Sequence, residues 1–150
     1  MYAYNFKTKK IRRCTPEKGT HYAQFSTDGT LFLDSYSSST EPRRVALYDN
    51  KGIEIKQIHK SDNPWANLDM PEIDVFKIKA KDGTDLYARM IKPLNFDANK
   101  KYPVIVYVYG GPHAQLITDT WLSGANNFFL FLAQQGYIVW TVDSRGSANR

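Results

Sequence analysis

The chain has 150 residues, 42% of them hydrophobic and 14% aromatic, with a formal charge of +5 and one cysteine, Cys14. This is the composition of a packed, strand-favouring chain rather than a disordered one, and a lone cysteine excludes an internal disulfide framework. No run of 18 apolar residues occurs, and no charged segment followed by an apolar stretch opens the chain, so nothing in these residues reads as a span or a targeting signal.

The first sixty residues alternate short β-rich runs with turns. Strands are predicted over 1–6 and 11–15, joined by Lys7-Thr8-Lys9-Lys10, and over 21–26 and 30–36, joined by Thr27-Asp28-Gly29. After the loop Ser37 to Pro42 come 44–48 and 53–58, joined by Asp49-Asn50-Lys51-Gly52. Asp-Gly and Asn-Lys-Gly connections between such runs are hairpin signals. The expectation for 1–60 is an all-β unit, one four-stranded antiparallel propeller blade with part of a neighbour. Residues 61–72, with Asn63-Pro64-Trp65, have loop composition and are expected to link two units.

From Asp74 the pattern changes. Strands are predicted over 74–80 and 86–92 about an Asp82-Gly83 turn, and the apolar run Val104 to Tyr109 predicts a strand buried on both faces. A helix is predicted next, with Ser123 as N-cap, Ala125, Phe128, Phe129 and Leu132 at helical spacing, and Gly136 as the stop. The apolar strand 137–142 completes a βαβ unit, which implies a mostly parallel sheet. The fold class is therefore mixed, a propeller-blade fragment over 1–60 followed by an α/β portion over 73–150.

The basic residues gather in two places, Lys7 to Arg13 beside a predicted hairpin and Lys77, Lys79 and Lys81 along one strand face. Both read as solvated surface, and no nucleic-acid module accompanies them. His21, His59 and His113 lack metal-ligand spacing, no cysteine stands near any of them, and no cofactor or metal is implied.

Chemistry is expected where the two apolar strands end, because open α/β sheets bind ligands beyond the carboxyl ends of their strands. The first end carries Tyr109-Gly110-Gly111-Pro112-His113. A phenol at that edge can donate to an oxyanion during acyl transfer, and two glycines let the backbone approach a substrate. Tyr109 is the candidate catalytic residue, Tyr109, Gly110 and Gly111 the candidate substrate contacts, and His113 an open candidate to line the site. The second end carries Asp143-Ser144-Arg145-Gly146-Ser147, whose Asp and Arg either bind a carboxylate or brace each other and the neighbouring backbone. No Gly-x-Ser-x-Gly elbow occurs among the 150 residues, so neither Ser144 nor Ser147 reads as a nucleophile.

On the run Lys100 to Pro112, Trp121, the helical stretch Phe128 to Gly136 and Val142 to Ser147, the sequence resembles the prolyl oligopeptidase family of serine peptidases, and within it the dipeptidyl peptidase IV branch. The hairpin ending Met90-Ile91-Lys92-Pro93 is similar to the family's entry into its hydrolase domain, and residues 1–60 to its last propeller blade. The resemblance implies an α/β-hydrolase domain from 73 onward and an exopeptidase releasing X-Pro or X-Ala dipeptides. It also implies Tyr109 as the oxyanion donor, where related acylaminoacyl peptidases tend to carry histidine, and a homodimeric full-length protein. The family's Ser, Asp and His triad and the acidic pair that grips the substrate amino terminus have no counterpart here. The expectation is an internal piece of an enzyme, inactive alone and prone to self-association through open strand edges. An acylaminoacyl peptidase or oligopeptidase of the same family, or a non-catalytic propeller interaction module, is the alternative. Nucleic acid is not an expected partner. Membrane association and compartment are not readable, with a periplasmic or secreted parent left open.

Overall fold

The computed structural model describes residues 1–148. It divides into two units, Met1–Asn63 with Asp119–Trp121, and Pro64–Thr118 with Leu122–Arg150.

In the first unit β1 (Tyr2–Tyr4) and β2 (Ile11–Arg13) form a two-stranded hairpin. β3 (Thr20–Phe25), β4 (Leu31–Ser37), β5 (Arg44–Asp49) and β6 (Glu54–Lys60) form an antiparallel sheet in sequence order. Each of its three connections joins antiparallel neighbours, the first and third as the turn chemistry predicts and the second across the loop 38–43, and a sheet of this kind is consistent with a propeller-blade fragment. The Asp28 carboxylate accepts from Ser26 and Thr30 and closes the first turn. Asp49 does the same in the third by accepting from the Lys51 and Ile53 amides.

Alternation sends Phe32, Asp34 and Tyr36 of β4 and Ala46 and Tyr48 of β5 to one buried face. Phe32 stacks on Tyr48 with ring centroids 5.1 Å apart, and each such side chain contributes roughly 1.5–3 kcal/mol through burial. Polar side chains at that face bond to one another, although one Glu17 oxygen and one Asp34 oxygen are buried without a partner. Arg44 donates to Glu17 (2.9 Å), Glu54 (3.0 Å) and the Tyr48 hydroxyl (2.8 Å). Burial and the hydrogen bond to Glu54 push the Tyr48 phenol up to about 12. His21 lies between the Asp34 carboxylate (2.6 Å) and the Glu17 carbonyl (3.1 Å). The histidine thus serves packing within the sheet, as its lack of metal-ligand spacing suggests.

In the second unit β7 (Ile73–Lys79), β8 (Asp85–Ile91), β9 (Val104–Tyr107) and β10 (Ile138–Val142) form a sheet in the order β7-β8-β10-β9. Only β9 and β10 run parallel, as a βαβ unit requires; β7 with β8 and β8 with β10 are antiparallel. The described sheet is therefore mixed, not mostly parallel, because the β7–β8 hairpin pairs with β10 and supplies half its strands. The strand expected to be buried on both faces is an edge strand. Val104 is 55% exposed and Val106 61%, since no described strand pairs with the outer edge of β9. It also ends at Tyr107, two residues earlier than the apolar run suggests.

The helix α1 (Asn127–Gln134) covers one face, packing Phe129, Leu130 and Ala133 against Ile91 and Val139. Its N-cap is Asn126, whose side chain accepts from the Phe129 amide at 3.0 Å. Ser123, the expected cap, lies instead in a 3₁₀ turn, Trp121–Gly124, with φ 55°. The helix ends as predicted at Gly136, whose amide reaches Ala133 O at 3.0 Å. Among the described residues no helix is long and apolar enough to cross a membrane.

Candidate functional site at the ends of β9 and β10

Because β9 and β10 are parallel neighbours with Tyr107 opposite Thr141, their carboxyl ends emerge side by side. The chain leaving β9 passes through Tyr109, Gly110 and Gly111, and the chain leaving β10 through Asp143, Ser144 and Ser147. These residues line one shallow pocket, together with Ala114, Leu116 and Val142, with an empty volume of about 170 Å³ that includes open solvent. The two loops singled out in the sequence thus meet.

Tyr109 lies at this pocket, 61% exposed as a residue and with no hydrogen-bond partner among the described residues. The phenol is therefore not buried, and solvent reaches it. Gly110 has φ 72°, and a Cβ on Gly111 would sit 2.6 Å from the Tyr109 ring. A side chain at position 111 would thus displace the tyrosine, so glycine there fixes where the ring lies.

His113 is exposed, and its contribution is through the backbone: its amide donates to Gly146 O at 2.9 Å and ties the two loops together. Asp143 is buried. Its carboxylate accepts from the amides of Leu116 (2.9 Å) and Ile117 (3.1 Å), the backbone-bracing role. Asp143 and Arg145 do not brace each other. Arg145 pairs with Asp82 at 2.6 Å, in the turn between β7 and β8. That contact, with the hydrogen bonds from Thr84, lowers the Asp82 carboxyl to about 2.

Arg89 is the residue that sequence reasoning missed. It sits in the middle of β8, 1% exposed, and donates to Leu116 O (3.0 Å), Ser123 O (2.7 Å) and Thr141 Oγ1 (3.4 Å). Its guanidinium carbon lies 5.8 Å from the centre of the Phe129 ring. Burial pulls the guanidinium below its ordinary value, while the charges of Asp143 and Tyr107 act in the opposite sense. In the sequence it stands within an alternating strand, where a long cation reads as solvent-facing; the only available signal was its place on the same face as the apolar Ile91. Among the described residues no cluster of three or more metal-ligating side chains occurs.

No family model matches the chain. Curated relatives do. Mouse dipeptidyl peptidase 8 is 31% identical over 94% of this chain and 17% of its own length, and Trichophyton rubrum dipeptidyl peptidase 4 is 31% identical over 98% of this chain and 20% of its own. Among solved structures, a Bacteroides ovatus protein provisionally described as a dipeptidyl aminopeptidase IV superposes with a TM-score of 0.89 at 44% identity, over 99% of this chain and 22% of that one. Porphyromonas gingivalis dipeptidyl peptidase 4 follows with a TM-score of 0.84 at 27% identity, over 97% of this chain and 21% of its own. The class these relatives define is that of the dipeptidyl peptidases, which are serine-type hydrolases. Within that class the likeness, in sequence and in fold, is to the dipeptidyl peptidase IV branch. The chain spans about a fifth of the length of the relatives it matches.

Proposed function

We propose that these 150 residues serve in a dipeptidyl peptidase IV-like exopeptidase that releases X-Pro or X-Ala dipeptides from peptide N-termini. In this reading the first unit is the last part of a β-propeller, and the second is the opening portion of an α/β-hydrolase domain joined to it through residues 61–72. The observation that carries it is the meeting of the Tyr109-Gly110-Gly111 and Asp143-to-Ser147 loops in one pocket at the carboxyl ends of two parallel strands.

Tyr109 is the oxyanion donor of this proposal. A tetrahedral intermediate develops negative charge on the former carbonyl oxygen, and a phenolic O–H held within about 3 Å of that oxygen stabilises it. Tyr109 is exposed and its hydroxyl is unengaged by the described residues, so it can donate without first breaking an internal bond. Catalysis also needs a nucleophile and base that the 150 residues do not contain, and the chain alone is expected to be inactive. Peptides with Pro or Ala at the second position are the proposed substrates, and homodimerisation belongs to the longer protein.

The test replaces the matching segment of the Bacteroides ovatus protein with this chain and assays the chimera beside its parent. Hydrolysis of Gly-Pro and Ala-Ala chromogenic amides at a rate comparable to the parent's is the expected result. A folded but inactive chimera beside an active parent would remove the proposal.

A further inference from the structure

Leu116 lies in the pocket wall, and its peptide groups are gripped from both sides. Its amide donates to the Asp143 carboxylate at 2.9 Å and its carbonyl accepts from the Arg89 guanidinium at 3.0 Å. The same guanidinium holds Ser123 O at 2.7 Å, and the same carboxylate holds the Ile117 amide at 3.1 Å. Arg89 belongs to β8 and Asp143 to the end of β10, so two sheet strands hold a segment, Ala114 to Thr118, that has no regular structure of its own.

We propose that Arg89 and Asp143 are positioning residues that form one clamp on the Leu116 peptide and thereby fix the wall facing Tyr109. Neither touches a reacting atom. The physical case is accounting. A buried guanidinium is costly unless its donors are used; here Nη1 is spent on two loop carbonyls and Nη2 on the Thr141 hydroxyl rather than on a neutralising salt bridge, while Nε is left without a partner among the described residues. Asp143 likewise spends both oxygens on loop amides. Each charge offsets the other's burial only while the loop lies between them, which makes the arrangement cooperative. Lysine in place of Arg89 would lack the planar fork that reaches Leu116, Ser123 and Thr141 together.

The proposal rests on the peptidase reading only for its consequence; the clamp itself is read without any substrate. The experiment is site-resolved amide hydrogen exchange with ¹⁵N–¹H spectra on the full 150-residue chain and on Arg89→Met, Asp143→Asn and the double variant. Expected is exchange at Leu116 and Ile117 faster by about tenfold or more in each single variant, with the β8–β10 ladder changed much less. The double variant should be little worse than the worse single one, since both break one unit. Additive losses, or protection at Leu116 and Ile117 equal to that of the unsubstituted chain, would overturn the clamp. Should Arg89→Met not fold, Asp143→Asn decides alone: loosening confined to residues 112–118 supports the clamp, and an unaltered segment rejects it. Failure here leaves the chimera result untouched, so the two readings fail separately.

Discussion

Two tyrosines show how differently the two units use the same side chain. Tyr48 in the first unit is buried, stacked on Phe32 and bonded at its hydroxyl to both Arg44 and Glu54. Tyr109 in the second unit is solvent-facing at a pocket and bonded to no described residue. A phenol whose hydrogen-bonding capacity is consumed internally can stabilise a fold but has nothing to give a ligand. An unengaged phenol at the mouth of a parallel strand pair contributes little to the fold and keeps its donor available. The same contrast holds for buried charge: Arg44 closes a network inside the first unit's sheet, whereas Arg89 and Asp143 reach out of a sheet to hold a loop.

The sharpest way to break the first unit's side of this comparison is Phe32→Ala. It removes the ring stacked on Tyr48 and leaves a cavity at the centre of the buried face, so a loss of about 3–5 kcal/mol is expected in chemical denaturation followed through that unit's own signals. A loss below about 1 kcal/mol would show that this face is not the unit's core. Smaller, but more telling, is the pair Tyr48→Phe and Tyr109→Phe. The first removes the hydroxyl's bonds to Arg44 and Glu54, which stay paired with each other, and should cost about 1–1.5 kcal/mol, while the second should stay within about 0.5 kcal/mol of the unsubstituted chain. Equal costs would erase the distinction drawn between the two phenols.

Smallest in effect is the Arg145–Asp82 contact. Its hydrogen bonds hold the Asp82 carboxyl at about 2 against an ordinary 3.8. A depressed folded value means the contact stabilises the fold above the ordinary carboxyl range and is lost as pH falls from about 4 towards 2. Both side chains are exposed, so the readout is the titration itself. Arg145→Ala should return the Asp82 midpoint upward towards the ordinary value in a ¹³C-detected titration, and an unmoved midpoint would assign the shift to Thr84 alone.

Much of this architecture is written locally. Asp28-Gly29, Asp49 to Gly52 and Asp82-Gly83 each turn the chain through side-chain oxygens or glycines a few residues away, so the hairpins were readable from spacing. The meeting of the Tyr109 and Asp143 loops was also foreseeable, because strand, helix, strand forces two parallel strands to end on one side. What was not readable depends on partners distant in sequence. β9 is apolar enough to suit burial on both faces, yet its exposure is set by which strands pair with it, and β10 inserts between β8 and β9. Asn126 rather than Ser123 caps α1; Ser123 lies in a separate 3₁₀ turn with its carbonyl bonded to Arg89, 34 residues earlier. Arg145 finds Asp82 across 63 residues, where the sequence offered Asp143 two positions away.

The most direct test of the central claim is Tyr109→Phe within the chimera that carries this chain in the Bacteroides ovatus protein. Loss of one oxyanion donor should lower kcat for a Gly-Pro amide by about 10²–10³-fold with KM little changed. A Tyr109→Phe chimera that keeps the full kcat would contradict the account, whatever else these residues do.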